Sequence, residues 1–295
     1  MKAPPDPILW NKLLSGNREQ LAAAGKAILA AGHADDYVSL LLMARRRNAR
    51  RHRRVLGFIP FGTAYTERER RSMLSALGIL WGTLGRTLGG ALDPKASHFE
   101  REHAHKALIS RHDPRAVRPL IEAMLDGQAL EDWQCIATLG ALGDLRAAEP
   151  LLIYVGLDAA TDRAINIPVE FGVEVGRALR EMKARQVLGK IQDALHAPFP
   201  RQRIGSALVL AGWGDEKLAP LIAPLITDTE SQVRLAAANA IGELRAAVSL
   251  APLQAALTDP DPQVRLRVEW AVQQVTTANA QRAVKAGKIR RADPV

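Results

Sequence analysis

Apolar residues fall at helical spacing through most of this chain. In the segment SQVRLAAANAIGEL, Val233, Ala237, Ala240, Ile241 and Leu244 sit at i, i+4, i+7, i+8 and i+11, one face of an α-helix. The segment before it, EKLAPLIAPLITD, and its counterpart AAVSLAPLQAALTD carry the same spacing, as at Leu250, Leu253 and Leu257. Between the segments stand residues that stop one helix and start the next: Asp228, Thr229 and Ser231, then Asp259, Pro260 and Pro262. The pattern predicts a helix–turn–helix unit. Nearer the N-terminus it predicts helices over Pro7–Leu14 and Arg18–Ala31, a third from about Asp35, and a hinge over Val55–Ala64.

The unit repeats. Arg70, Arg101, Asp132, Gly172, Arg203, Arg234 and Arg265 are separated by 31 residues at every step except one of 40. Six positions later a second column reads Ala76, Ala107, Thr138, Ala178, Val209, Ala240 and Ala271, nearly all small. A fixed period of this size marks stacked units, none of which buries its apolar face alone. The expectation is an all-α, right-handed α-α superhelix (solenoid). It comprises a basic N-terminal helical region with divergent repeats (1–98), a regular solenoid (99–276) and a basic tail (277–295).

The strings DPRAVRPLIEAMLD, ALGDLRAAEPLL and VRLAAANAIGEL resemble HEAT repeats, and more narrowly the short bacterial type first described in phycobilisome lyases. An aspartate six residues before an arginine recurs at Asp228/Arg234 and Asp259/Arg265. The resemblance implies that these residues form a structural ladder of hydrogen bonds between adjacent repeats. Two units depart from it. Asp132 replaces the arginine and faces Asp126 in the pattern, while Gly172 lacks the charge and its unit carries nine extra residues around Asp158–Pro168. Insertions in such stacks emerge as surface loops.

Composition narrows the functional classes. Aromatic residues make up only 4% of the chain, which suits thin layers of closely packed helices. The lone Cys135 excludes an internal disulfide and reads as a small buried hydrophobe. With an N-terminus that lacks a secretory pattern, it points to a cytoplasmic setting. The net charge of +9 is unevenly spread: residues 1–112 carry 19 basic against 9 acidic side chains, residues 113–276 carry 16 against 21, and the tail 5 against 1.

Four groups of residues bear on function. Arg45, Arg46, Arg47, Arg50, Arg51, Arg53 and Arg54 crowd seven guanidinium groups into ten positions, a block that needs counter-charge from nucleic acid, another polyanion or an acidic surface. Arg282, Lys285, Lys288, Arg290 and Arg291 form a second, smaller basic group. In Met73–Leu92, Gly78, Gly82, Gly85 and Gly89 form a small-residue stripe, read as one helix packed tightly on another rather than a membrane span. His98, Glu102, His105 and His112 share a helical face at metal-ligand spacing. Deoxyhypusine hydroxylases, a HEAT-like enzyme group, hold di-iron through His-Glu dipeptides, whereas this chain has only the reversed Glu102–His103. The face is therefore expected to be polar and partly exposed, with no metal and no cofactor. Asp132 and Trp133 resemble the aspartate and tryptophan that alkylpurine DNA glycosylases, another helical-repeat family, present in a basic groove. Trp133, Trp213 and Trp270 are expected to be packed instead.

No glycine-rich phosphate loop, nucleophile elbow or zinc-type cysteine pair is present. The leading expectation is a non-enzymatic scaffold that binds a protein partner, with the arginine block touching a polyanion. A DNA glycosylase using Asp132 and Trp133, or a bilin lyase-like factor for chromophore attachment, are the alternatives.

Overall fold

The structure, a computed structural model, describes residues 6–15, 17–46, 67–93, 95–125, 132–157, 171–247 and 250–286. It is an all-α helical-repeat solenoid fold with fifteen α-helices and no strand among the described residues. The chain divides into two compact units, Met1–Leu142 and Gly143–Val295.

The first unit holds α1 (Pro7–Ser15), α2 (Arg18–Ala30), α3 (Ala34–Arg46), α4 (Glu67–Ala91), α5 (His98–Arg111), α6 (Val117–Leu125) and α7 (Asp132–Leu142). The second holds α8 (Ala148–Tyr154), α9 (Gly172–Glu181), α10 (Leu188–Ala194), α11 (Pro200–Trp213), α12 (Ala219–Ile222), α13 (Ser231–Leu244), α14 (Leu250–Ala255) and α15 (Pro262–Lys285). In the regular hairpins α6, α8, α10, α12 and α14 are first helices, and α7, α9, α11, α13 and α15 are second helices. The register positions mark the first turn of each second helix. The small column six residues on forms its buried seam: Ala76, Thr138, Ala178, Val209, Ala240 and Ala271 are all buried. Cys135 is buried as well.

The hairpins also share their turn. Eleven residues after the register position the backbone enters the left-handed region, at His112 (φ 48°), Gly143 (69°), Lys183 (58°), Gly214 (74°) and Arg245 (54°). A residue with positive φ ends a helix by freeing the chain from the right-handed spiral. Next comes an aspartate cap in three of the five turns. Asp113, Asp144 and Asp215 accept from the amide two residues on at 2.9–3.0 Å, opening a short 3-10 turn into the following first helix. At the sixth such position Thr276 stays helical, so α15 runs on for 24 residues, against 14 in α13. Its last turns are tied back by Arg282, which donates to the Arg245 carbonyl at 3.0 Å and to Glu216 at 2.6 Å.

The glycine-rich segment of α4 is not one packed helix, as its periodicity predicted. It bends at Gly82 (φ 61°, ψ −138°), a conformation that a side chain with a Cβ rarely adopts. The two halves fold back on each other. A Cβ on Gly85 would lie 2.1 Å from the Leu77 carbonyl oxygen, and one on Gly78 would lie 3.0 Å from the Cγ of Arg86. Gly82 sits twelve residues after Arg70, so α4 fuses a second helix to the first helix of the next hairpin. Among the described residues no helix is long and apolar enough to cross a membrane.

Gly172 likewise has a packing reason. α9 and α11 approach so closely that a Cβ on Gly176 would stand 2.0 Å from the Val209 oxygen, and one on Gly212 would stand 1.9 Å from the Val173 oxygen. A Cβ at Gly172 itself would meet the Cβ of Leu208 at 2.5 Å. An arginine at that position has no room.

Candidate functional site

The register arginines fasten successive repeats of the second unit. Arg203 donates from Nε and Nη2 to the two oxygens of Asp228 at 2.8 and 2.9 Å, and from Nη1 to the carbonyls of Ala197 and Pro198 at 2.9 and 3.0 Å. Arg234 repeats this one unit later, pairing with both oxygens of Asp259 at 2.7 and 2.9 Å and with the carbonyls of Asp228 and Thr229. Arg265 makes the carbonyl half, to Asp259 and Pro260. Arg203 and Arg234 therefore each bind the backbone of their own loop and the carboxylate 25 residues ahead, and Arg234 does not bond the carboxylate six residues behind. Asp228 and Asp259 also cap the following turn through the amides of Glu230 and Asp261.

These pairs lie at the edge of the core. The Arg234 and Asp259 side chains are 12% and 5% exposed. Burial pushes the Asp228 carboxyl up, but bonds from Arg203 and the Glu230 amide outweigh it and leave the group below its ordinary value. At Asp259 the hydrogen bonds from Arg234 are the largest influence and lower it, and the same pair raises Arg234. In the first unit Arg101 bonds its own loop through the Ala96 carbonyl. Asp126, 25 residues ahead, lies outside the described residues. The α9–α11 step has neither partner: Gly172 stands at the arginine position and Ala197 at the aspartate position.

The second helices share one position that is not buried, the residue directly after the register. It reads Trp133, Val173, Ile204, Leu235 and Leu266, none of them buried. Leu266 is 70% exposed and Trp133 43%. In the second unit Leu235 on α13 joins Gln263, Leu266, Arg267 and Trp270 on α15 around an open groove of about 520 Å³. Trp270 lies against Gly242, where a Cβ would come within 2.3 Å of its ring. The Arg267 guanidinium stands 5.1 Å over that ring and donates to Asn239 at 3.0 Å. A half-buried tryptophan and an oriented arginine are residue types that carry most binding energy at protein interfaces, and the exposed leucine beside them adds apolar surface.

The corresponding place in the first unit is aromatic. The rings of His98 and Trp133 lie 6.5 Å apart, and the exposed Phe99 ring lies 5.0 Å from His103. Beside them Lys106 pairs with Glu102 at 2.7 Å, and that hydrogen bond holds the Glu102 carboxyl below its ordinary value.

Other sequence expectations change here. Trp133 is not packed, because its register position faces outward. Trp213 and Trp270 are half-buried. His105 does not lie on an exposed polar face. It is 5% exposed, and its Nδ1 meets the Thr138 hydroxyl at 2.9 Å between α5 and α7. Among the described residues no group of three His, Cys, Asp or Glu side chains could hold a metal ion. Arg45 and Arg46 end α3, but their side chains, like all of Arg47, Arg50, Arg51, Arg53 and Arg54, lie outside the described residues. The same holds for the Asp132 side chain, the 158–168 insertion, and Lys288, Arg290 and Arg291. The Leu266–Arg267–Trp270 groove was missed in sequence. The column Trp133, Val173, Ile204, Leu235, Leu266 was its available signal.

No curated protein sequence matches this chain. Among solved structures, human deoxyhypusine hydroxylase in complex with glycerol aligns over 84% of this chain and 99% of its own, with 18% identity and a TM-score of 0.32. Two engineered proteins align with 14% identity (62% of this chain, 93% of theirs, TM-score 0.34) and 15% identity (90% and 77%, TM-score 0.35). A family model described as HEAT repeats matches residues 177–273, the stretch that contains the Arg203–Asp228 and Arg234–Asp259 pairs. This part of the chain is similar to HEAT repeats.

Proposed function

We propose that the protein is a non-enzymatic scaffold that docks a protein partner along the outward edge of its second helices. Its repeats are of the short bacterial phycobilisome-lyase-like type, and it works in the cytoplasm. The observation that carries the reading is Leu266, 70% exposed beside the fixed Arg267–Trp270 pair and next to Leu235 in the groove of the second unit. A polar residue at Leu266 would cost the repeat little in packing, since that side chain is 70% exposed. The Arg45–Arg54 block adds a sequence-independent contact to a polyanion, because guanidinium–phosphate pairing positions a ligand without reading bases.

Co-purification from the native cell, with and without nuclease, tests this. A wild-type sample should retain a stoichiometric protein after nuclease treatment. Leu235→Asp with Leu266→Asp should lose that protein, and Lys190→Ala, on a first helix, should keep it. A partner set unchanged by the leucine pair, or abolished by nuclease alone, contradicts protein docking at this edge.

A further inference from the structure

A second groove, in the first unit, has a different chemistry. It lies between α2 and α4, measures about 530 Å³, and is lined by Arg18, Leu21, Leu74, Ser75, Ile79 and Arg86. The bend at Gly82 creates it. Folding back the second half of α4 lays Arg86 across Gly78, where a Cβ would come within 3.0–3.3 Å of its Cγ, Cδ and Nη1. At the same time α2 and α4 touch at Gly25, where a Cβ would stand 2.3 Å from Ile79. The walls are aliphatic, and two guanidinium groups from different helices border one opening. Among the described residues neither Arg18 nor Arg86 is ion-paired. Both arginines are exposed at the rim, so an anion seated between them would accept charge-assisted hydrogen bonds from two helices at once.

We propose that this groove binds an amphiphilic anion. A carboxylate, sulfate or phosphate head bridges Arg18 and Arg86 within reach of the Ser75 hydroxyl, and an apolar body lies on Leu21, Leu74 and Ile79. The volume falls in the range of small-molecule sites. This site is independent of the protein-docking edge, since it shares none of its residues.

Calorimetric titration of the full chain with decyl phosphate, below its micelle-forming concentration, tests the proposal. Saturable one-to-one binding is expected, with no binding of decyltrimethylammonium and far weaker binding of inorganic phosphate. Arg18→Gln with Arg86→Gln should weaken decyl phosphate at least about tenfold. Leu74→Ser should weaken it while leaving the weak phosphate interaction unchanged. Circular dichroism melting confirms that each variant is folded, and the single variant Arg86→Gln serves if the double one is not. Phosphatidylglycerol vesicles identify the source. Binding lost with the same arginines points to a lipid headgroup, and binding of the free amphiphile alone points to a soluble ligand. Absence of saturation, equal binding of the cationic amphiphile, or indifference to both arginines overturns the proposal.

Discussion

The α9–α11 step and the α13–α15 step join neighbouring second helices by opposite means. At α13–α15 an arginine reaches forward to a carboxylate, Arg234 to Asp259, and the helices are spaced by side chains, with the Trp270 ring set against Gly242. At α9–α11 both members of that pair are missing, and glycines bring the helices into backbone contact through Gly176 and Gly212. A polar clasp and close packing are alternative ways of fixing one repeat on the next. Where the backbones touch there is no space for the clasp, and where the clasp exists close approach is not needed. The difference explains why Gly172 breaks the arginine column without breaking the stack.

The comparison makes distinct demands on mutants. Gly212→Val should have the largest effect, more than about 3 kcal/mol of destabilisation in denaturant unfolding, because its Cβ would overlap the Val173 carbonyl and force α9 and α11 apart. Asp259→Ala should cost about 2 kcal/mol. It strands part of the Arg234 guanidinium, which is 12% exposed but keeps its bonds to the Asp228 and Thr229 carbonyls. Restoring the missing clasp with Gly172→Arg and Ala197→Asp should destabilise rather than help, since Leu208 occupies the space. If that double variant were stabilised, the two devices would not be alternatives.

Acid should separate the two steps as well. The Asp228 and Asp259 carboxyls are lower in the folded chain than in the unfolded one, where they titrate near about 3.9. Their contribution is therefore complete above that value and disappears as pH falls through the folded-state values. Replacing both with Asn should flatten the acid limb of a stability–pH curve, whereas changes at Gly176 or Gly212 should shift the curve without altering its slope. The smallest effect belongs to Gly189. It lies in α10 with nothing within 4 Å of a Cβ, so Gly189→Ala should stabilise by about 0.5–1 kcal/mol, measured as a higher melting temperature.

Much of this arrangement was legible in the sequence. The 31-residue period, the small column at Ala240 and Ala271, and the Asp–Arg spacing are properties of single positions that recur, so they survive without coordinates. The partner of each arginine was harder to see. A separation of 25 residues crosses from one hairpin into the next, and only the stack reveals which carboxylate lies ahead. The bend at Gly82 was hidden by a periodicity that continues on both sides of it. Trp133 was misjudged because its size argued for burial, while its place one residue after the register argued for exposure. The apolar residues at the same position, Leu235 and Leu266, also argue for burial by type, and only the structure shows that they are not buried.

Amide hydrogen exchange across the second unit, compared between Asp259→Asn and Gly212→Val, tests most directly whether each step is held by its own device. Asp259→Asn should lower protection in α13 and α15 while α9 and α11 keep theirs, and Gly212→Val should do the reverse. Equal loss of protection across all four helices in both variants would contradict it.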